Sequence, residues 1–172
     1  MSLFSNKPML KWLWLSLVLI ILDQITKQLA ENLLALYQTV PVIPFFNIVL
    51  VYNTGAAFSF LADESGWQRW FFLGLSIVIS IVLLIWLGRL KSDQRLQAIA
   101  LALILSGAIG NLIDRAIYGH VIDFLDIYYD RWHWPAFNLA DSAITIGAVL
   151  LIFDTLFNSA SVSSKQIDQG TD

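Results

Sequence analysis

Four apolar stretches, each long enough to cross a bilayer, occupy close to half of this 172-residue chain. A hydrocarbon core needs ~20 apolar residues per helix, so four spans fit and a second membrane domain does not. The stretches fall at residues 9–29, 70–88, 96–114 and 137–157. Charged residues make up 13% of the chain, about half the soluble norm of roughly 25%, and the mean hydropathy is +0.69. The expected fold is therefore an all-α membrane protein, a four-helix transmembrane bundle in one domain over residues 1–157. The Ser/Gln/Asp-rich tail, 158–172, is expected to be a disordered cytoplasmic tail.

The first stretch resembles a signal peptide, with Lys7 and Lys11 ahead of it. No small-x-small cleavage site follows, and Asp23 and Lys27 stand where one would lie, so a retained helix is expected. The second stretch, Trp70 to Gly88, holds no charge in nineteen residues. The third places Ala102, Ser106 and Gly110 at a four-residue spacing that admits another helix backbone. The fourth follows Pro135 and carries Asp141 near its start.

Four spans put both termini on the side of the short loop that carries Arg89, Lys91 and Arg95. That side holds six bases against four acids, and the other holds four bases against nine acids. The positive-inside rule then assigns the termini to the cytoplasm and the acids to the outer face. The outer segments carry strand signals at Ile48–Tyr52, after Pro41 and Pro44, and at Tyr118–Phe124. Trp67, Trp70, Trp132 and Trp134 fall near span boundaries, as an interfacial aromatic belt would.

Composition also narrows the chemistry. A pI near 5.2 argues against nucleic-acid binding. The absence of cysteine removes disulfides, thiolate nucleophiles and Cys-ligated metals. Two histidines, His120 and His133, are too few for a histidine metal cage, and no serine has an obvious histidine base. Carboxylates, amides and hydroxyls remain, and no metal or other cofactor is expected.

Each candidate carboxylate has a plain reading beside a functional one. Asp23 and Lys27, four apart with the acid first, read as a helical ion pair ending the first span at headgroup level, which could also brace a site. Gly107, Gly110, Asn111 and Asp114 share one helical face, a glycine groove leading to an amide and a carboxylate, with Arg115 next. Tight helix packing explains those glycines but not Asn111. Asp123, between Ile122 and Phe124, is either an outward-facing strand residue or a functional acid. Asn138 and Asp141 fit an N-cap and third helical position, resembling a capping box; Thr145 would extend their stripe. An acid there also meets the positive end of the helix dipole. Asn53-Thr54-Gly55 is turn chemistry that could present an amide and backbone donors to an extended peptide. Two carboxylates at one interface cannot both ionise cheaply. Asp123 and Asp141 would share a proton, one activating water while the other polarises the substrate.

Four stretches carry a resemblance to a known family: Asn53–Ser59 (NTGAAFS), Gly107–Arg115 (GAIGNLIDR), Gly119–Phe124 (GHVIDF) and Phe137–Ile144 (FNLADSAI). With Asp23 and Lys27 on the first helix, they occur in family order, and the sequence resembles the lipoprotein signal peptidases, the bacterial type II signal peptidase family. The resemblance implies an inner-membrane aspartic endopeptidase that cleaves diacylglyceryl-modified prolipoproteins just before the lipidated cysteine. It implies Asp123 and Asp141 as the catalytic dyad. Asn53, Gly55, Asn111, Arg115 and Asn138 would hold the site or the substrate backbone, with Asp23, Lys27 and Asp114 in supporting roles. It also implies a small extracytoplasmic β-sheet with a short amphipathic helix, and inhibition by the cyclic peptide globomycin. The stretch with Asp126, Asp130 and Trp132 is expected to tune access, and a peptidase of this kind needs no partner subunit, so a monomer is expected. A small proton- or ion-coupled transporter is the alternative, since intramembrane acids also mark ion pathways. The acids, however, cluster at one face instead of forming a relay.

Overall fold

The computed structural model describes residues 8–55 and 67–168. A 3-10 turn, Pro8–Trp12, leads into α1 (Leu13–Leu33). Two strands, β1 (Thr39–Ile43) and β2 (Phe46–Asn53), precede α2 (Trp67–Arg89) and α3 (Arg95–Ile117). Strands β3 (Val121–Tyr129) and β4 (Trp132–His133) then lead to α4 (Leu139–Asp168). All four helices are long and apolar enough to cross a membrane, over Pro8–Leu33, Arg69–Arg89, Arg95–Ile117 and Leu139–Phe157.

α3 is the central helix. Of its apolar window 56% is buried, against 17–22% for the other three, whose outer faces expose large apolar side chains such as Leu17, Val78 and Ile152. In water those faces would be a liability; against lipid they are the solvated surface. The small residues of α3 determine what approaches it. Ser16 on α1 donates to the Ala102 carbonyl at 2.8 Å. A Cβ on Gly107 would collide with the Ala140 carbonyl of α4, and one on Gly147 of α4 would lie 2.7 Å from the Ala100 carbonyl of α3. Backbones meet because side chains are missing, as membrane helices require when no water drives them together.

The four strands form one antiparallel sheet in the order β1-β2-β3-β4 at one end of the bundle. β2 pairs with β3 in a register that sets Val51 opposite Asp123 and Asn47 opposite Asp126. Pro41 lies in β1, the edge strand, where its missing N–H costs no ladder bond. The opposite end of the bundle is closed by an apolar cluster of Met9, Leu83, Leu87, Leu90, Ala98, Leu101 and Leu105.

The bundle and sheet agree with expectation, and several details differ. The second strand signal begins three residues late: Tyr118 caps α3 and Gly119, at φ +84°, makes the turn, so the strand starts at Val121 and runs on to Tyr129. The backbone of α4 continues helical to Asp168, past the expected end at Phe157; no Pro or Gly interrupts that stretch before Gly170. Among the described residues there is no separate short helix beside the sheet, and the one short helical turn lies at the other end. The four belt tryptophans are all exposed.

Candidate active site

The charged network begins on α1. Asp23 and Lys27 pair at 2.9 Å, but they do not end the helix, which continues to Leu33, and both are almost wholly buried. The reason is a third partner far away in sequence. The Lys27 ammonium also meets Asp114 of α3 at 2.8 Å and the Asn111 Oδ1 at 2.9 Å. One cation thus serves two buried carboxylates, whose remaining lone pairs are filled by protein donors. Asp23 accepts from the Ala140 backbone N–H at 2.9 Å. Asp114 accepts from the Ile122 N–H at 3.3 Å and from the Gln24 side chain at 2.9 Å. Lys27 therefore ties α1 and α3 to the starts of β3 and α4, as a buried charge must be paired and hydrogen-bonded. Gly110 makes room for this, since a Cβ there would lie 2.6 Å from the Asp23 carboxylate.

Asp123 and Asp141 sit above this network on separate elements. Asp123, on β3, is 2% exposed, which removes the outward-facing alternative. Asp141 lies in the first turn of α4, where the capping box forms as expected. Its backbone N–H donates to the Asn138 Oδ1 at 2.9 Å, and its carboxylate accepts from the Asn138 N–H at 3.3 Å. Thr145 does not extend that stripe: it is exposed and donates back to the Asp141 carbonyl one turn earlier.

Three asparagines donate to these carboxylates, and each is oriented by a group that can only donate. The Asn111 oxygen takes the Lys27 ammonium, so its amide NH2 faces Asp141, at 2.8 Å. The Asn138 oxygen takes the Asp141 N–H, so its NH2 faces Asp123, at 2.7 Å. The Asn53 oxygen takes the Gly55 N–H, so its NH2 also faces Asp123, at 3.0 Å. An amide can point either way, and here each obligate donor removes the choice. Asn138 alone connects the two acids.

The Arg115 guanidinium donates to the Gly55 carbonyl at 2.7 Å and lies 5.4 Å from the Phe72 ring centre. Among the described residues its Nε is buried without a partner and its Nη1 makes only a 3.5 Å contact to the Asn111 carbonyl, so the group keeps donors for a further partner. Burial, and after it the charge of Asp141, pushes the Asp123 carboxyl up to about 7, against the opposing hydrogen bonds of Asn53 and Asn138. A group in that range can hold or release a proton near neutrality.

All the sequence-derived candidates are brought together: Asp23, Lys27, Asn53, Gly55, Asn111, Asp114, Arg115, Asp123, Asn138 and Asp141. The rest of the NTGAAFS stretch, Ala56–Ser59, lies outside the described residues. Asp126 does not line an open approach; it is buried beneath Asn47 at 2.8 Å and His133 at 2.9 Å. Gln24 was not foreseen. It follows Asp23 directly, and its partner Asp114 is ninety residues away, so no local spacing marks it.

The chain matches the family of signal peptidase (SPase) II over residues 15–157. It is 55% identical to the lipoprotein signal peptidase of Yersinia pseudotuberculosis serotype O:1b (strain IP 31758), an alignment covering 90% of this chain and 94% of that one. It is also 55% identical to the lipoprotein signal peptidase of Ectopseudomonas mendocina (strain ymp), over 89% of this chain and 90% of that one. Among solved structures, a bacterial membrane enzyme superposes with a TM-score of 0.79 at 32% identity, covering 88% of this chain and 90% of its own. Sequence and fold thus point the same way over nearly the whole length, and the chain belongs to the signal peptidase II family.

Proposed function

We propose that this peptidase removes the signal peptide from diacylglyceryl-modified prolipoproteins, just before the lipidated cysteine, with Asp123 and Asp141 as its catalytic dyad. The observation that carries the reading is the bridge through Asn138, which hydrogen-bonds one carboxylate through its side chain and the other through its backbone. Asp123, raised to about 7, is the member that holds the shared proton. Asp141, at the positive end of α4, is the ionised member.

The steps then balance. Asp141 takes a proton from water as its oxygen attacks the scissile carbonyl, and Asp123 gives its proton to the carbonyl oxygen. The resulting diol collapses with C–N cleavage: Asp141 passes the proton it took to the departing nitrogen of the lipidated cysteine, and one diol hydroxyl returns a proton to Asp123. The free donors of Arg115, with Gly55, hold the backbone of the extended peptide, and the cyclic peptide globomycin competes for the same donors. Lys27, Asp23 and Asp114 touch no substrate; they fix Asn111 and the ends of three elements.

The four spans and the sheet act as one catalytic unit of a single chain in the inner membrane. Both termini face the cytoplasm and the dyad lies near the extracytoplasmic face, a reading supported by the bases near the short loop. Water reaches the dyad from that face, and the lipid chains of the substrate stay in the bilayer. The test is cleavage of a lipid-modified prolipoprotein by the purified protein, with and without chelator. Cleavage should survive the chelator and vanish in both Asp123→Asn and Asp141→Asn. A correctly folded variant of either kind with full activity removes the dyad.

A further inference from the structure

α2 contributes the Phe72 ring, set against Arg115, to the site described above. Among the described residues, its only side-chain hydrogen bonds to another element come from Arg69, close to its N-terminus. The Arg69 Nε donates to the Arg115 carbonyl at 3.1 Å and its Nη2 to the Ala116 carbonyl at 2.8 Å. These carbonyls belong to the last turn of α3; that of Arg115 also accepts from the Gly119 N–H at 3.2 Å, so Arg69 takes its second lone pair. A cation there also meets the negative end of the helix. The guanidinium lies over the neighbouring turn as well. A Cβ on Gly119 would sit 3.4–3.6 Å from the Arg69 side chain, and the Trp70 ring holds the guanidinium carbon at 5.4 Å.

That position matters because of what the same turn carries. Only Tyr118 to His120 separate α3 from β3, so the end of α3 sets where the strand that carries Asp123 begins. Arg115, whose carbonyl Arg69 holds, reaches with its own side chain to the Gly55 carbonyl at 2.7 Å. The Gly55 N–H fixes the Asn53 oxygen at 3.0 Å, and the Asn53 amide donates to Asp123 at 3.0 Å. The hydrogen bonds run without a gap from α2 to one carboxylate of the dyad.

We infer that Arg69 is a positioning residue for the peptidase reaction: by clamping the last turn of α3 it aims Arg115 at Gly55, and so the Asn53 amide at Asp123. The inference rests on the dyad reading above, and the two fail separately, since activity retained in Asp123→Asn removes the dyad whatever Arg69 does.

The test compares Arg69→Ala, Arg69→Lys, Asn53→Ala and the Arg69→Ala/Asn53→Ala double variant, using full-length protein and a lipid-modified prolipoprotein. Arg69→Ala should lower kcat about tenfold, with KM moved less than about twofold, because the loss is one of orientation. Its pH profile should shift in the same direction as that of Asn53→Ala, the alkaline limb moving up as Asp123 loses a donor that favours its ionised form. The double variant should be no slower than Asn53→Ala alone, because both act through one chain of bonds. Arg69→Lys, which can still reach one carbonyl, should recover part of the rate. Fully additive losses would overturn the inference. So would a lowered melting temperature with an unmoved alkaline limb, or an Arg69→Ala variant with wild-type kcat.

Discussion

The two ends of α3 close the bundle by opposite means. Near Arg95, seven apolar side chains from the 3-10 turn, α2, the loop after it and α3 pack into one cluster. Near Ile117, the buried residues include the polar and charged Asp23, Lys27, Asn111, Asp114, Arg115, Asp123 and Asn138. The first end shows that packing alone can hold these helices together. Each buried charge at the second end costs several kcal/mol to desolvate, and pairing returns that cost only with close geometry. The polar end is therefore organised for orientation: the amides of Asn53, Asn111 and Asn138 each have one available direction, toward Asp123 or Asp141.

Breaking the polar end should cost more than thinning the apolar one. Lys27→Met strands Asp23 and Asp114 in the interior and frees Asn111 to rotate. A loss of about 3–5 kcal/mol of stability is expected, read as a large fall in melting temperature in detergent. Asn138→Ala removes the bridge between the two acids while leaving Lys27 in place. It should lower kcat by ~10²–10³, the usual effect of losing one preorganised donor, with a much smaller change in melting temperature. At the other end, Leu101→Ala leaves a cavity in the apolar cluster and should cost about 2–3 kcal/mol of stability. Its kcat should stay at the wild-type value, measured well below the new melting temperature.

The smallest effect is one of pH. Asp123 holds its proton up to about 7 when folded and releases it near 3.8 when unfolded. The folded state thus binds the extra proton between those values, and this contribution is full below 3.8 and lost as pH rises through about 7. Melting temperature should fall by a few degrees across that window, and the fall should be shallower in Asp123→Asn.

The same contrast marks what the sequence discloses. Hydropathy identifies the apolar bundle because lipid contact repeats along every helix. The capping box at Asn138 and Asp141 is equally legible, since its two residues lie three apart. Lys27 shows the limit. Its i,i+4 partner Asp23 is visible in the sequence, and Asp114, which buries the pair, is brought to it only by the packing of α1 on α3. Gln24 and Arg69 find their partners in the same way, across other helices. β1 left little signal because it is a short, fully exposed edge interrupted by Pro41. Thr145 fits the helical spacing of the stripe, but its hydroxyl turns back to its own helix.

Infrared titration of the dyad tests the central claim most directly, that Asp123 and Asp141 form one acid–base pair with the proton on Asp123. In the wild type, a protonated carboxyl band should persist at pH 6 and disappear as pH passes about 7. It should be missing in Asp123→Asn. In Asp141→Asn it should remain and titrate at lower pH, because a neighbouring charge is gone while burial is unchanged. A band at pH 6 that survives Asp123→Asn and is lost in Asp141→Asn would contradict the account.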